Sequence, residues 1–484
     1  MNMTSGDQYV STGIPGLDTV LGGGVVPDRM YLLQGHPGNG KTTFSLQFIQ
    51  EGLRRGEAVL YISLSQTERE LHQIARSHGW DLSGMEILEL PSDGWEQQCL
   101  QEQSLFQAVD TELEPLMELL KQTIREIAPR RLVIDSVVEL RLLANDPLIF
   151  RRRILELKLF LETLPVTTWI LDDLLQPEGN FHLASLVSGT FQLEQLSPSY
   201  GNQRRRLRVF KLRGQPFQDG YHDFRLQRGG LVIYPRLDTR DGQRTLGEAY
   251  TSGLEMLDEM LDGGLERGSS TLILGPAGTG KSSLATLFAT SAVQRGHGAA
   301  LYLFEEGTKS YLTRSDALGM CLSEAVQSGR ISLRECNVTE MTPGEFAQSV
   351  CQEVRERQAT VVIIDSIAGY LNAMPNLELL LVHLHDLVTF LSQQQVLTIL
   401  VMAQHDGVLD HSAPEAPLDI SYMADTVMLL NTFQERDRIR QSLVVSKKRH
   451  GVCHRILREM HIDSDGIHLA PLATDSIAMQ GVGD

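Results

Sequence analysis

Two stretches of this chain satisfy one pattern, and together they constrain the fold more than any other feature. Gly275-Pro276-Ala277-Gly278-Thr279-Gly280-Lys281-Ser282 fits G-x-x-x-x-G-K-[ST] at every fixed position, between an apolar run (Ser270 to Leu274) and a helical segment (Ser283 to Gln294). Gly35-His36-Pro37-Gly38-Asn39-Gly40-Lys41-Thr42 fits it again. Lys281 follows Lys41 by 240 positions, and the same offset carries Thr12-Gly13 onto Ser252-Gly253, Leu17-Asp18 onto Leu257-Asp258 and Gly22-Gly23 onto Asp262-Gly263. The chain is an internal duplication, so its architecture must be built twice.

The pattern has a physical purpose. Glycines let the backbone curl until several N–H groups point inward, and the start of the following helix adds the positive end of its dipole. Such a cradle suits the concentrated negative charge of ATP. Gly35, Gly38, Gly40 and Thr43 in the first copy, and Gly275, Gly278, Gly280 and Ser283 in the second, are candidate ATP-binding positions. Lys41 and Lys281 are placed to reach the β- and γ-phosphates, and the hydroxyls of Thr42 and Ser282 to hold Mg²⁺ directly. Each copy also has an apolar strand ending in a carboxylate, Arg131 to Ser136 with Asp135 and Val361 to Ser366 with Asp365, expected in the Mg²⁺ shell.

The remaining pattern alternates apolar runs with helical segments, which indicates α/β domains with mainly parallel central sheets. A lead-in helix is expected over Ser11 to Leu21, strands over Met30 to Gln34, Ala58 to Leu64 and Thr168 to Leu171, and a loop then helix from Pro91 to Ile127. Arg236 to Tyr250 reads as the linker, giving an N-terminal ATP-binding domain over 1–240 and a C-terminal ATPase domain over 241–484.

Composition narrows the partners. The net charge is −18, and the dense basic clusters, Arg151-Arg152-Arg153 and Arg204-Arg205-Arg206, read as helix-face or strand-edge charge, so the sequence argues against a nucleic-acid groove. The five cysteines form no C-x-x-C pair, which argues against a zinc site. With no apolar run long enough to span a bilayer and no leader pattern at Met1 to Val10, the expectation is a cytoplasmic protein without a membrane partner.

The copies differ where hydrolysis would be decided. A carboxylate at a strand end beside the phosphate loop is the usual means of orienting the attacking water. The strand Ala299 to Phe304 ends in Glu305-Glu306, the candidate catalytic pair, whereas the 240 offset places Ser65-Gln66 opposite, and a one-residue shift still brings no carboxylate there. The expectation is that the second domain hydrolyses ATP and the first binds it with little or no turnover. After Leu397 to Ala403, Gln404-His405-Asp406 is placed to sense the γ-phosphate.

With these residues in hand, the chain resembles the KaiC family of circadian-clock-type ATPases over nearly its whole length, as a KaiC-like homologue. The specific carriers are Ala75 to Leu82, Lys211-Leu212-Arg213-Gly214, Gly220 to Phe224, Asp425-Thr426 and Lys447-Lys448-Arg449. The resemblance implies a RecA-like fold in each domain and a homohexamer of two stacked rings with ATP between subunits. Lys211 and Arg213, and by match Lys447 and Arg449, would then reach the neighbour's γ-phosphate. It also implies a second-domain phosphoacceptor pair, for which this chain has Ser421-Tyr422, making Ser421 the candidate for autophosphorylation. The paired glutamates of the family's first domain are replaced by Ser65-Gln66. These readings favour an ATP-hydrolysing oligomeric switch acting with a regulatory or signalling partner. A nucleic-acid-dependent ATPase or recombinase of the same fold, and a slow-turnover scaffold stabilised by ATP, stand as alternatives.

Overall fold

In the computed structural model each phosphate loop leaves a strand whose every residue is apolar, small or locked into the sheet. The described residues are 9–90, 113–144, 146–174, 181–197, 202–240, 242–337, 340–371, 377–403, 420–435 and 438–472. Gln404-His405-Asp406 lies outside them, as does most of the expected loop from Pro91, whose helix is described as Leu113–Ile127. The chain divides into two compact units, Met1–Arg236 and Leu237–Asp484.

The first unit's strands are β1 (Met30–Gly35), β2 (Val59–Ser63), β3 (Glu86–Glu89), β4 (Arg131–Asp135), β5 (Thr167–Asp173), β6 (Gly189–Leu196), β7 (Arg204–Leu212), β8 (Tyr221–Gln227) and β9 (Gly230–Tyr234). They form one sheet in the order β3-β2-β4-β5-β1-β6-β7-β8-β9. Pairing is parallel from β3 to β6 and antiparallel from β6 to β9. The second unit opens with a short antiparallel pair, β10 (Ala249–Tyr250) and β11 (Leu265–Glu266), so the end of the expected linker is already paired. Its sheet comprises β12 (Ser270–Gly275), β13 (Gly298–Leu303), β14 (Ile331–Glu335), β15 (Ala359–Asp365), β16 (Leu397–Ala403), β17 (Thr426–Glu435), β18 (Arg438–Lys448), β19 (Arg458–Asp463) and β20 (Gly466–Pro471). The order, β14-β13-β15-β16-β12-β17-β18-β19-β20, repeats that of the first unit strand for strand.

Burial on both faces explains why the central strands read as unbroken apolar runs. Side chains alternate across the sheet: Tyr31 and Leu33 of β1 join one core, and Met30 and Leu32 the other. Ile273 and Leu272 of β12 divide in the same way. Helix Lys41–Arg54 is fastened across the sheet by Gln47, whose Nε2 donates to the Leu231 carbonyl at 3.1 Å while its Oε1 accepts from Leu231 N–H at 2.8 Å.

The lead-in helix is shorter than the sequence suggests. Only Leu17–Val20 is helical, because Ser11 and Thr12 wrap the Asp18 carboxylate instead: Ser11 Oγ donates at 2.6 Å and Thr12 N–H at 2.9 Å. Side chains that bond backbone locally offer the chain an alternative to a helix.

Candidate nucleotide sites

In an open α/β sheet the ligand crevice lies beyond the carboxyl ends of the parallel strands. At that edge of the first unit, Gly38 and Gly40 hold φ of 82° and 98°, a conformation costly for residues with a Cβ. Asn39 is buried and its Nδ2 donates to the Leu193 carbonyl at 2.7 Å, tying the loop to β6. Leu226 of β8 covers Gly40 so closely that an added Cβ would stand 3.2 Å from it. The loop is thus shaped by its own glycines and by two strands remote in sequence.

Lys41 folds back over this loop. Its Nζ donates to the carbonyls of Gly35 at 2.7 Å and His36 at 3.2 Å and forms an ion pair with Asp173 at 2.8 Å. Thr42 Oγ1 donates to Asp135 at 3.2 Å, joining the expected direct Mg²⁺ ligand to the expected shell carboxylate. Tyr61 of β2 also donates to Asp135, at 2.6 Å. Burial pushes the Asp135 carboxyl above the ordinary carboxylate range, with the bonds from Tyr61 and Thr42 acting against it. That arrangement suits a cation: a buried acid whose charge lacks compensation gains most from a divalent ion beside it.

The second site repeats the frame. Gly278 and Gly280 have φ of 77° and 84°, and Lys281 Nζ donates to the Pro276 carbonyl at 2.6 Å. Burial pulls Lys281 below its usual range, opposed by the nearby charges of Asp365 and Glu305. Burial raises Asp365, which accepts a hydrogen bond from Ser282.

Strand register settles the alignment at the catalytic position. Ser63 pairs with Asp135, and Leu303 pairs with Asp365. Leu64 N–H donates to Asp135 O and Phe304 N–H to Asp365 O, each at 2.7 Å. Ser65 therefore stands opposite Glu305, and Gln66 opposite Glu306. The two glutamates also differ from one another. Glu305 accepts from Ser366 Oγ at 2.7 Å, at the corner beside Asp365. Glu306 is held instead by Arg314 at 2.6 Å and Ser310 Oγ at 2.8 Å on the helix Thr308–Ala317. Both charges bear on Asp365, but only Glu305 is hydrogen-bonded to the residue that follows it.

A family model described as "ATPase: KaiC" matches residues 10–238 and again residues 250–474. The chain belongs to the KaiC ATPase family. It is 26% identical over 472 residues to the circadian clock oscillator protein KaiC of a Picosynechococcus strain, covering 95% of this chain and 89% of that protein. It is 25% identical over 478 residues to the circadian clock protein KaiC3 of Synechocystis, with coverages of 96% and 92%. The KaiC of Synechococcus elongatus is 26% identical over 466 residues, with coverages of 94% and 88%. Two tandem KaiC-type ATPase domains of RecA-like α/β fold, each with a mainly parallel nine-stranded sheet, account for the whole duplication.

Both KaiC-type repeats place their basic pair alike, at the end of the first antiparallel strand, β7 or β18, with the arginine just beyond it. Lys211 Nζ donates to the carbonyls of Ala184 at 2.5 Å and Val187 at 2.9 Å, and Lys447 Nζ to those of Ser421 and Ala424, both at 2.8 Å. Each lysine thereby fastens its strand to the short helical turn before β6 or β17. Arg213 reaches the Ser185 carbonyl at 3.4 Å, and Arg449 reaches the Tyr422 carbonyl at 2.8 Å and Asp425 at 3.3 Å. Ser421 opens the short helical turn Ser421–Met423.

Several site residues escape a reading of the sequence. Tyr61 is one alternating apolar residue among others until β2 is paired with β4. Asp172 and Asp173 read only as a strand end. In the structure Asp172 is fully buried and bonded twice to Arg141, at 2.8 and 2.9 Å, while Asp173 turns to Lys41. The adjacent acids were the available signal, but their division of labour depends on the sheet face.

Proposed function

We propose that this chain is an oligomeric ATP-driven switch in which the second domain, over 241–484, hydrolyses ATP and the first, over 1–240, binds it with little or no turnover. The observation that carries this reading is the position of Glu305 beside Asp365 and Ser366, matched by register to Ser65 in the first copy. Glu305 acts as the base that orients water toward the γ-phosphate. Glu306, paired with Arg314, supports the helix behind it.

ATP lies in each cradle, with Gly35, Gly38, Gly40, Lys41, Thr42 and Thr43 in the first and Gly275, Gly278, Gly280, Lys281, Ser282 and Ser283 in the second. Thr42 and Ser282 would hold Mg²⁺, with Asp135 and Asp365 in its shell, and the ion would supply charge neutralisation for the leaving diphosphate. Lys211, Arg213, Lys447 and Arg449 serve a neighbouring subunit's nucleotide in a two-ring hexamer. A cation supplied in trans ties turnover to assembly. Ser421 is the candidate phosphoacceptor of an autokinase activity, and the read-out is a regulatory or signalling partner sensitive to nucleotide state.

The test compares ATP turnover of the full chain with Glu305→Gln, Glu306→Gln and Lys41→Ala, reading mass by native and phosphorylation by peptide mass spectrometry. Loss of a general base lowers turnover about 10²- to 10⁴-fold, so Glu305→Gln should show that loss with assembly retained. Glu306→Gln should keep most activity. Turnover that survives Glu305→Gln but vanishes in Lys41→Ala would move the chemistry to the first domain and overturn the assignment.

A further inference from the structure

The two phosphate-loop lysines are not held alike. An ammonium has three N–H donors, and those of Lys41 are matched by the carbonyls of Gly35 and His36 and by Asp173, at 2.7, 3.2 and 2.8 Å. The carbonyls are part of the loop and cannot leave without unmaking it. Asp173 is the acceptor that an incoming phosphate oxygen must displace. The pair is sheltered, with the Lys41 side chain 10% and the Asp173 side chain 28% exposed, so water screens it little. Asp173 is the last residue of β5, paired with Gly35 at the mouth of the loop. In the second unit the partner of Gly275 is Ala403, which carries no charge. Among the described residues no carboxylate stands within ion-pair distance of Lys281.

Loop N–H groups cradle the α- and β-phosphates, so the γ-phosphate lies beyond them, toward the strand ends. That is the side on which Asp173 and Asp135 stand. A triphosphate both takes the lysine from Asp173 and brings a like charge against it; a diphosphate brings no γ-phosphate there. We propose that Asp173 is a specificity-determining residue of the first nucleotide site, competing with the γ-phosphate for Lys41 and tilting this site toward a nucleoside diphosphate. The inference rests on the reading of the first unit as a nucleotide site and adds what that site prefers.

The experiment uses the full chain carrying Lys281→Ala, so that binding reports the first site, with Mg²⁺ held constant. Equilibrium dialysis of ATP and ADP is compared with Asp173 intact and with Asp173→Asn, Asp173→Ala and Asp173→Glu. Removing one sheltered like charge should raise the ATP-to-ADP affinity ratio by about tenfold or more in the Asn and Ala variants. ADP affinity should rise less than ATP affinity, since only its β-phosphate can use the freed lysine, and Asp173→Glu should keep the original ratio. A merely structural role would move both nucleotides together. If both nucleotides bind and the ratio is unchanged, or if ATP affinity falls selectively, the inference fails while the site reading stands. If neither nucleotide binds with Lys41 and Asp173 intact, the site reading fails and the inference with it.

Discussion

At Glu51 the helix leaving the first phosphate loop carries a carboxylate gripped by two arginines. Arg54 bonds it through both Nε and Nη2 at 2.8 Å, and Arg55 through Nε at 2.5 Å. The hydrogen bond from Arg54, aided by Arg55, pulls the acid down to about 2. A depressed carboxylate contributes stability that is complete above its ordinary value and lost as pH falls through the folded one. Both arginines are substantially exposed, which limits the gain to about 1 kcal/mol at neutral pH. Glu51→Gln should therefore lower stability measurably at pH 7, and chemical denaturation should show the difference from the parent closing between pH 4.5 and about 2. The same local logic separates Glu305 from Glu306. The residues are adjacent and identical in type, and only Ser366 on one side and Arg314 on the other give them different partners.

The phosphate loop works as an element because strand, turn and helix are each pinned from elsewhere. At the end of β12, Gly275 lies so close to β17 that an added Cβ would stand 2.4 Å from the Leu430 carbonyl. The counterpart, Gly35, would meet the Leu193 carbonyl at 3.0 Å. Backbone cannot give way as a flexible side-chain end can, so Gly275→Ala must part β12 from β17. We expect a loss of about 2 kcal/mol or more for Gly275→Ala, within the range of overpacked sites, and a smaller loss for Gly35→Ala. Thermal unfolding checks the order; equal losses would refute the difference between the copies. The strands of the central sheets were legible because burial on both faces makes them continuous apolar runs. The hairpin β19–β20 was not, since charged and polar side chains interrupt its alternation. Leu226 and Ile462, which cover Gly40 and Gly280, sit on such strands, and nothing local in the sequence ties them to a phosphate loop.

For the molecule as a whole, each unit carries its own pair of cores, one on either face of its sheet. All three tryptophans, Trp80, Trp95 and Trp169, fall in the first unit. Trp169 is fully buried among Tyr31, Phe44, Phe48 and Phe191. Tryptophan fluorescence should thus follow the first unit alone while circular dichroism follows both. Trp169→Ala removes a large aromatic from a closed core, a change that costs about 3–5 kcal/mol. It should bring forward one denaturation step detected by circular dichroism and leave the other in place; a single shifted transition would show that the units unfold together. The sequence by itself determined the duplication, the two glycine-rich loops, the aspartates at the ends of their neighbouring strands and the parallel α/β sheets. Each is written in contiguous residues, where glycine spacing and strand periodicity act over one turn or one strand. Tertiary structure decided between the two alignments that the sequence left open at Ser65, gave Glu305 and Glu306 different partners, and set Asp173 on Lys41. Those outcomes depend on which strand lies beside which and in what register, and hydrogen bonding between strands distant in the chain sets that order.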